Sequence, residues 1–475
     1  MKDRCLLLLL AVACGIAVQA KVYTIHDLAQ FPGTGITADE NGVCTVEMES
    51  TKKDTSYFDE GRIAVTRNQI IIREGNSFKL EDGDLIVFKQ GGRITIEGDI
   101  DADLAIGARL TAAEGAESKV AGLRMGGTGH VANLRNVTFE YVGLDNSCED
   151  SQVIVHNCTF KYHNRYHGLG AIRFMRHNHG NVIEDCNFID CVGAAVNVGI
   201  NVPGGLIVRN NIIERNVSSA DPLPSISVAS GGDEDIIIEN NRVIGPGTVT
   251  QAGGINVNNT FNNPITRPVI VRNNYVEGNY YGIGVNENSY VIVENNTIVN
   301  NNVIYTTGKG GYGVYCYNPT PMDCNAIFTG NHIEGNAVGI YIRYRGENLN
   351  IGKTDDPTAP DYNPGKNVFV NNGRDGVLCD LWNDTPDNVY AQGNTWNVAE
   401  QTPELIETVI KHKADDNTLG EVYFMPPNPD FVNVTEVLID NEDDADDTYY
   451  NLLGQPVAHP SHGIYIVGGK KVFIP

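Results

Sequence analysis

Between Ser151 and Ile183 the chain carries Lys161, Arg165, Arg173 and Arg176 together with His156, His163, His167, His177 and His179, and no Asp or Glu. The whole chain has 59 acidic and 34 basic residues and a net charge of −25, and five of its eleven histidines fall in this one stretch. Such a set suits β-elimination on an acidic sugar. A guanidinium stabilises the carboxylate as negative charge develops on it, which lowers the cost of removing the neighbouring proton. An imidazole or phenol takes that proton, and a second one protonates the leaving oxygen. The residues that fit these roles are Arg173, Arg176, His177, His179, Tyr166 and His167, with Lys161 beside them for substrate. The plainer alternative is a row of solvated loop side chains with stacked imidazoles.

Metal chemistry has less support. None of the ten cysteines stands in a CxxC pair, so the usual structural zinc spacing is missing. His177 and His179 have no carboxylate near them in the sequence, which leaves a zinc site incomplete, and no metal is expected. Calcium is the one ion left open, through Asp233, Glu234 and Asp235, although three adjacent acids in a turn are more often merely solvated.

The elements that must position these residues come from a repeat. Val291 to Asn301 reads VIVENNTIVNN, and related text recurs around Val137, Cys158, Cys186, Asn211, Asn241, Asn274, Asn296, Asn331, Asn367 and Asn394, at intervals of 21 to 36 residues. The apolar period inside each repeat is two, which excludes helical solenoids. A fixed core with elastic spacing indicates stacked coils with loop insertions. The minimum of about 22 residues fits one coil of a right-handed parallel β-helix, an all-β solenoid. Asparagine tolerates the left-handed backbone of a sharp corner. Stacked at about 4.8 Å, its amides can also bond from coil to coil. The asparagines are therefore expected to be framework.

Each coil holds a second strand, often opening with glycine: AIRFMR, AAVNVG, SISVAS, GINVNN, GIGVNE, GVYCYN, GIYIRY and GVLCDL. Alternation sends Ile172, Val196, Ile255, Ile283, Val314 and Ile340 inward. The outward column becomes Arg173, Asn197, Ser227, Asn256, Gly284, Tyr315, Tyr341 and Leu378, and beside it run Asn258, Asn286, Tyr317, Arg343 and Asp380. Insertions at Arg215–Ser225, Asn302–Tyr312 and Arg343–Lys366 are expected to wall this face. Tyrosines beside Asn and Arg suit sugar rings, which have an apolar face and a hydroxyl rim. Asn197, Asn256, Asn258, Asn286, Tyr315, Tyr317, Tyr341 and Arg343 are the expected substrate contacts. The acidic balance argues against a nucleic-acid partner, so the expected partner is a polysaccharide, bound without catalysis or cleaved.

From about residue 60 to 427 the repeat resembles the pectin-lyase-like superfamily, which implies the same fold. The calcium-binding aspartates and paired catalytic aspartates of its lyases and polygalacturonases do not appear as recognisable motifs. Glu287 and Asp380 are read as lying by the groove three coils apart, roughly 14 Å by the strand repeat, too far for a glycosidase pair.

The ends read differently. Residues 1–20 have Lys2 and Arg4, an apolar run from Cys5 to Val18 and small residues before Lys21, as in a secretory signal peptide cut after Ala20. Ala13-Cys14-Gly15 leaves a lipoprotein reading open, with Ala11 where leucine is usual. No later stretch is long and apolar enough to span a membrane. Residues 21–56 are expected to cap the solenoid at 57–398. Residues 399–427 are expected to form a second cap, with a helix over Pro403–Lys413 and a strand over Gly420–Pro426. Residues 428–448 form an acidic linker. The tail, 449–475, carries YNLLGQPV and GIYIVGGKKVFI and resembles the sorting segments of proteins exported by the bacterial type IX route. That implies export machinery as a partner and a secreted or surface location. Cys316 and Cys324 flank one loop and are close enough in sequence to bridge.

Overall fold

The computed structural model describes residues 20–430, except 104, 165–168, 200–203, 219–221, 248–250, 307–308 and 320. It also describes 448–450, 456–457, 463–467 and 470–474. The described residues up to Asn428 form one compact unit and those from Pro429 another.

One coil shows the design. Tyr290–Glu294 lies in a first sheet, Thr297–Val299 in a second and Tyr312–Tyr317 in a third, before Asn325–Thr329 returns to the first. Repetition builds three long sheets of 14, 13 and 15 strands among the described residues. Neighbouring coils pair in parallel with Val291 opposite Val269 and Ala326, so the register advances by whole coils. The inward residues Val291, Val293, Ile298, Val314 and Cys316 are fully buried. Phe139, Phe160 and Phe188 stack at 4.6 and 4.9 Å between ring centroids in the second sheet, and Phe369 stacks on Trp396 at 4.9 Å near the far end. All the second-strand residues expected inside, from Ile172 to Ile340, are buried.

The two residues of each Asn pair divide the two jobs foreseen for asparagine. The first turns the corner: Asn136, Asn157, Asp185, Asn210, Asn240, Asn273 and Asn295 all have φ between 50° and 58°. The second points inward and bonds along the rod. The Nδ2 of Asn211 donates to Oδ1 of Asn241, and the series continues through Asn274, Asn296, Asn331 and Asn367 to Asn394 at 2.9 to 3.0 Å. Each Oδ1 also accepts the backbone N–H of the preceding rung. Cys186 continues the column upward by donating its N–H to Asn211, and Cys158 donates its own to the Sγ of Cys186. A second ladder at the next corner links Asn279, Asn301, Asn336 and Asn372.

At the N-terminal end, Val22–Thr24 joins the first sheet through Ser77–Lys79. The short helix Ile25–Ala29 follows, with Thr24 and Asp27 forming a capping box. Two antiparallel arrangements, Ile36–Ala38 with Cys44–Val46 and Ser56–Phe58 with Ile63–Thr66, precede the regular coils. At the other end the helix is shorter than the sequence pattern predicts. It spans Pro403–Glu407, and Ile410–Lys411 already pairs with Leu381 and Trp382 in the third sheet. The free edge of that sheet competes for the backbone and wins after one turn and a half. Val422–Tyr423 closes the first sheet. Cys316 and Cys324 are separate buried thiols and not a bridge. In the second unit, Gly463–Val467 and Lys470–Ile474 form a hairpin, with Tyr449–Tyr450 and Pro456–Val457 completing a four-stranded antiparallel sheet. No helix among the described residues is long and apolar enough to cross a membrane.

The division of labour at the corner is testable. Asn274→Ala strands buried donors and acceptors above and below, at a cost of about 3 kcal/mol. Asn273→Ala loses only tolerance for positive φ, about 1 kcal/mol, and Asn273→Gly is close to neutral. Denaturant midpoints of the three variants should rank in that order; equal losses at 273 and 274 would contradict the assignment.

Candidate functional site

The basic stretch is not a patch. Its length exceeds one coil, so it wraps around the rod. His156 lies in the first sheet opposite Glu184, Lys161 in the second opposite Glu140, and Arg173 in the third opposite Asp145. His163 is buried at the corner between the second and third sheets. His177 and His179 follow the third-sheet strand Gly170–Phe174. Arg176 is exposed beside them. Tyr166 and His167 lie outside the described residues.

The acids missing from the stretch arrive from other coils. Asp145 stands 3.9 Å from Arg173. Glu184 and Asp185 each lie 3.4 Å from His156. Asp150 Oδ1 is 3.2 Å from His177 Nδ1 and 3.4 Å from His179 Nε2. Glu234 takes the other nitrogen of His179 and accepts the Gly180 N–H at 2.9 Å. The expectation that no carboxylate approaches His177 and His179 is therefore overturned: a reading along the sequence cannot register partners 27 to 55 residues away. Hydrogen bonds from His177 and His179 hold Asp150 below the usual carboxylate range. The bond to Glu234 raises His179, with Asp150 adding to it. Of the three acids considered for calcium, Glu234 is engaged here and Asp235 pairs with Arg267 at 2.6 Å.

The outer face of the third sheet carries a second feature. Gly284, Tyr315, Tyr341 and Trp382 occupy one column, and Asn286, Tyr317, Arg343 and Asp384 the next. Tyr315 and Tyr341 stack with ring centroids 5.7 Å apart and planes 4° from parallel. Tyr312 stacks on Tyr341 at 4.7 Å and meets Tyr315 at 5.0 Å. Tyr341 meets Trp382 at 4.9 Å, and Tyr317 meets Tyr344 edge-on at 5.3 Å. Tyr280 and Tyr281 extend the cluster toward earlier coils. Arg343 lies 4.8 Å from the Tyr344 ring, and its charge acts on the Tyr315 phenol beside it. Among the described residues it takes part in no ion pair, unlike Arg345 two positions on, which is held by Asp387 at 2.9 Å. Burial raises Tyr280 to about 12 and raises Tyr315, Tyr317 and Tyr341 as well. All four are neutral phenols at neutral pH.

Earlier coils lead into this platform with a row of amides. Asn256 accepts from Asn286 at 2.5 Å, and Asn286 accepts the Tyr317 N–H at 3.1 Å. Asn197, Asn256 and Asn258 are outward in register yet mostly covered. Gly284 keeps the row open, because a Cβ there would sit 2.4 Å from the Asn256 Oδ1. Lys161, on the second sheet, is not brought to this face. Among the expected walls, the hairpin Ile304–Thr306 with Lys309–Gly310 stands at the near edge. Residues 353–366 instead leave the corner between first and second sheets, closed by Lys353 pairing with Asn363.

The last coil corrects the expected register. Its third-sheet strand is Leu381–Asp384, so Trp382 and Asp384, not Leu378 and Asp380, continue the two columns. Val377–Leu378 belongs to a small hairpin with Gly373–Arg374. The GVLCDL text imitates the alternation of earlier coils, and the inserted hairpin displaces it. Trp382 is legible only once that hairpin is recognised. Asp380 is fully buried under the second ladder. It accepts from Asn372 Nδ2 at 3.2 Å and from the Asn397 N–H at 2.8 Å.

Residues 265–355 match the family model of the right-handed β-helix region. The solenoid is a right-handed parallel β-helix. No curated protein matches the chain in sequence. Among solved structures, it is similar to a crystal structure of the periplasmic alginate epimerase AlgG at 11% identity, with a TM-score of 0.41 over 85% of this chain and 83% of that one. It is similar also to a mannuronic acid specific polysaccharide family 6 lyase from human gut microbiota, at 15% identity and a TM-score of 0.35, over 74% of this chain and 87% of that one. These likenesses concern the coiled architecture.

Burial, offset in part by the two hydrogen bonds, pushes the Asp380 carboxyl up to about 7. Its folded value lies above its ordinary value of 3.8, so the stability it contributes is present below that value and is lost as pH rises through about 7. The melting temperature should fall between about pH 4 and 7 in the parent protein, and this component should vanish in Asp380→Asn. A parent and variant with parallel pH profiles would show that Asp380 ionises normally.

Proposed function

We propose that the protein binds an acidic polysaccharide along the outer face of the third sheet, over the platform of Tyr312, Tyr315, Tyr341 and Trp382. The observation that carries this reading is an arginine among packed aromatic rings on an acidic rod, with Tyr315 and Trp382 half-buried at the surface over the buried Tyr312 and Tyr341. Ring faces suit the apolar side of a pyranose, and Arg343 offers a planar fork to a sugar carboxylate. The buried amide of Asn256, bonded to Asn286, holds the platform's shape, and hydroxyl recognition falls to Tyr317, Tyr344 and Asp384 at its margin. In this reading residues 1–20 direct export, and the C-terminal segment engages a surface-sorting machinery, placing the binding face outside the cell.

Cleavage of the same polymer by β-elimination is a second reading, favoured by one observation. Arg343 is flanked by Tyr315 and Tyr344, so a carboxylate-stabilising cation shares one place with two phenol oxygens, one to take the proton beside the sugar carboxylate and the other to give a proton to the leaving oxygen. The Arg173–His177 stretch is a weaker centre for that chemistry, because Asp145 faces Arg173 and Asp150 faces His177.

Calorimetric titration with uronate and neutral polysaccharides separates these readings from none at all. Binding should prefer the uronate polymers, and Arg343→Ala, Tyr315→Ala and Trp382→Ala should each weaken it at least tenfold, about 1.4 kcal/mol. Unchanged affinity in all three variants would remove the platform from the function. Ultraviolet absorbance from an unsaturated product, lost in Arg343→Ala, would establish elimination; a bound but intact polymer would leave plain recognition.

A further inference from the structure

The corner following Gly170–Phe174 holds a group of side chains that the polysaccharide reading does not use. Asp150, His177 and His179 present one oxygen and two nitrogens that all lie within 4.8 Å of one another. The two imidazoles share one carboxylate oxygen, at 3.2 and 3.4 Å. Those separations are long for charged hydrogen bonds. They match the ligand–ligand edge of about 3.3 Å in a tetrahedron with metal–ligand bonds of about 2.0 Å.

The supporting shell is built too. Glu234 bonds Nδ1 of His179, which leaves Nε2 aimed at Asp150, where an arriving ion would take the place of its proton. A carboxylate on the far nitrogen of a ligating histidine is the usual device for fixing the ring and its tautomer. Glu234 reaches His179 from two coils further on, passing over Gly205. A Cβ at that position would sit 2.0 Å from Glu234 Oε2. The backbone fixes the other two ligands: the Asp150 N–H donates to the His177 carbonyl, and the His179 N–H to the Ser151 carbonyl, each at 2.8 Å. The three ligand side chains remain about half exposed, so the fourth direction opens to solvent.

We infer that Asp150, His177 and His179 bind one divalent first-row transition ion, with Glu234 as a positioning residue and the remaining coordination position open. Two imidazoles and one carboxylate select an ion of the zinc class over calcium or magnesium, which take oxygen ligands. The site lies four coils before Tyr281, roughly 19 Å along the rod, so it is separate from the aromatic platform and does not depend on its role. By joining neighbouring coils, the bound ion also clips the stack together.

The test uses the full mature chain without a histidine tag, treated with chelator and then titrated with zinc chloride by calorimetry. The expected result is one zinc per chain, at least tenfold weaker in His177→Ala, His179→Ala and Asp150→Asn, and about tenfold weaker in Glu234→Gln. His156→Ala alters the only other carboxylate–histidine group of this kind among the described residues and should leave binding unchanged. Zinc should also raise the melting temperature of the parent and not of His177→Ala. Circular dichroism of each variant reports whether the coils have formed, and Arg173→Ala serves as a folded variant outside the ligand set. Absence of saturable zinc binding by the folded parent would overturn the inference. So would zinc binding that survives the double change His177→Ala with His179→Ala, or calcium binding as tight as zinc.

Discussion

The fold depends on amides that bond along the rod while hidden from water. A buried, unpaired side-chain amide would be costly, so each Asn commits its neighbour: Asn241 needs Asn274, which needs Asn296. This cooperative column fixes the height and rotation of every coil and aligns the outward columns of the third sheet. Arg343, Tyr317 and Asn286 fall in one line because Asn331 and Asn296 fall in another. The geometry of the face thus rests on polar bonding in the core, where apolar packing alone would leave coils free to slip.

Corners and face obey different constraints. The left-handed residue and the inward amide leave no latitude, whereas the chain between them varies widely in length. Insertions at the corner after Asn301 and after Asn372 produce small hairpins that stand beside the platform without disturbing the pairing of Tyr312–Tyr317 with Val338–Arg343. The aromatic cluster spans the coils that carry these two hairpins. Earlier coils present amides and small residues on the same face.

Much of this architecture is legible in the sequence, because a period of two and a recurring Asn pair are both local signals. The ladder positions from Val137 to Asn394 follow from that pattern, as do the inward residues and the tyrosines near Arg343. What is not legible depends on contacts between coils. The run of histidines reads as a basic patch only while Asp145, Asp150 and Glu234 are out of view. Trp382 is missed because an inserted hairpin lets Leu378 mimic its place. Asp380 reads as a groove acid because nothing local reveals that it closes the second ladder. In a solenoid, charge and exposure belong to the stack, and a window along the chain samples around the circumference instead of along it.

The column of rungs begins with Cys158 and Cys186 and only then becomes asparagine. A thiol there is a weak hydrogen-bonding partner that asks little of the coil before it, so the ladder tapers toward its start instead of ending on an unmet amide. At the opposite end a carboxyl, Asp380, accepts what the last amide of the second series has to give. The two ladders therefore end on chemically distinct groups, the first opening on thiols and the second closing on a carboxyl, and both ends lie inside the stack, covered by further coils. Stacks made of near-identical layers risk growing without limit; here the terms of the series themselves say where it stops.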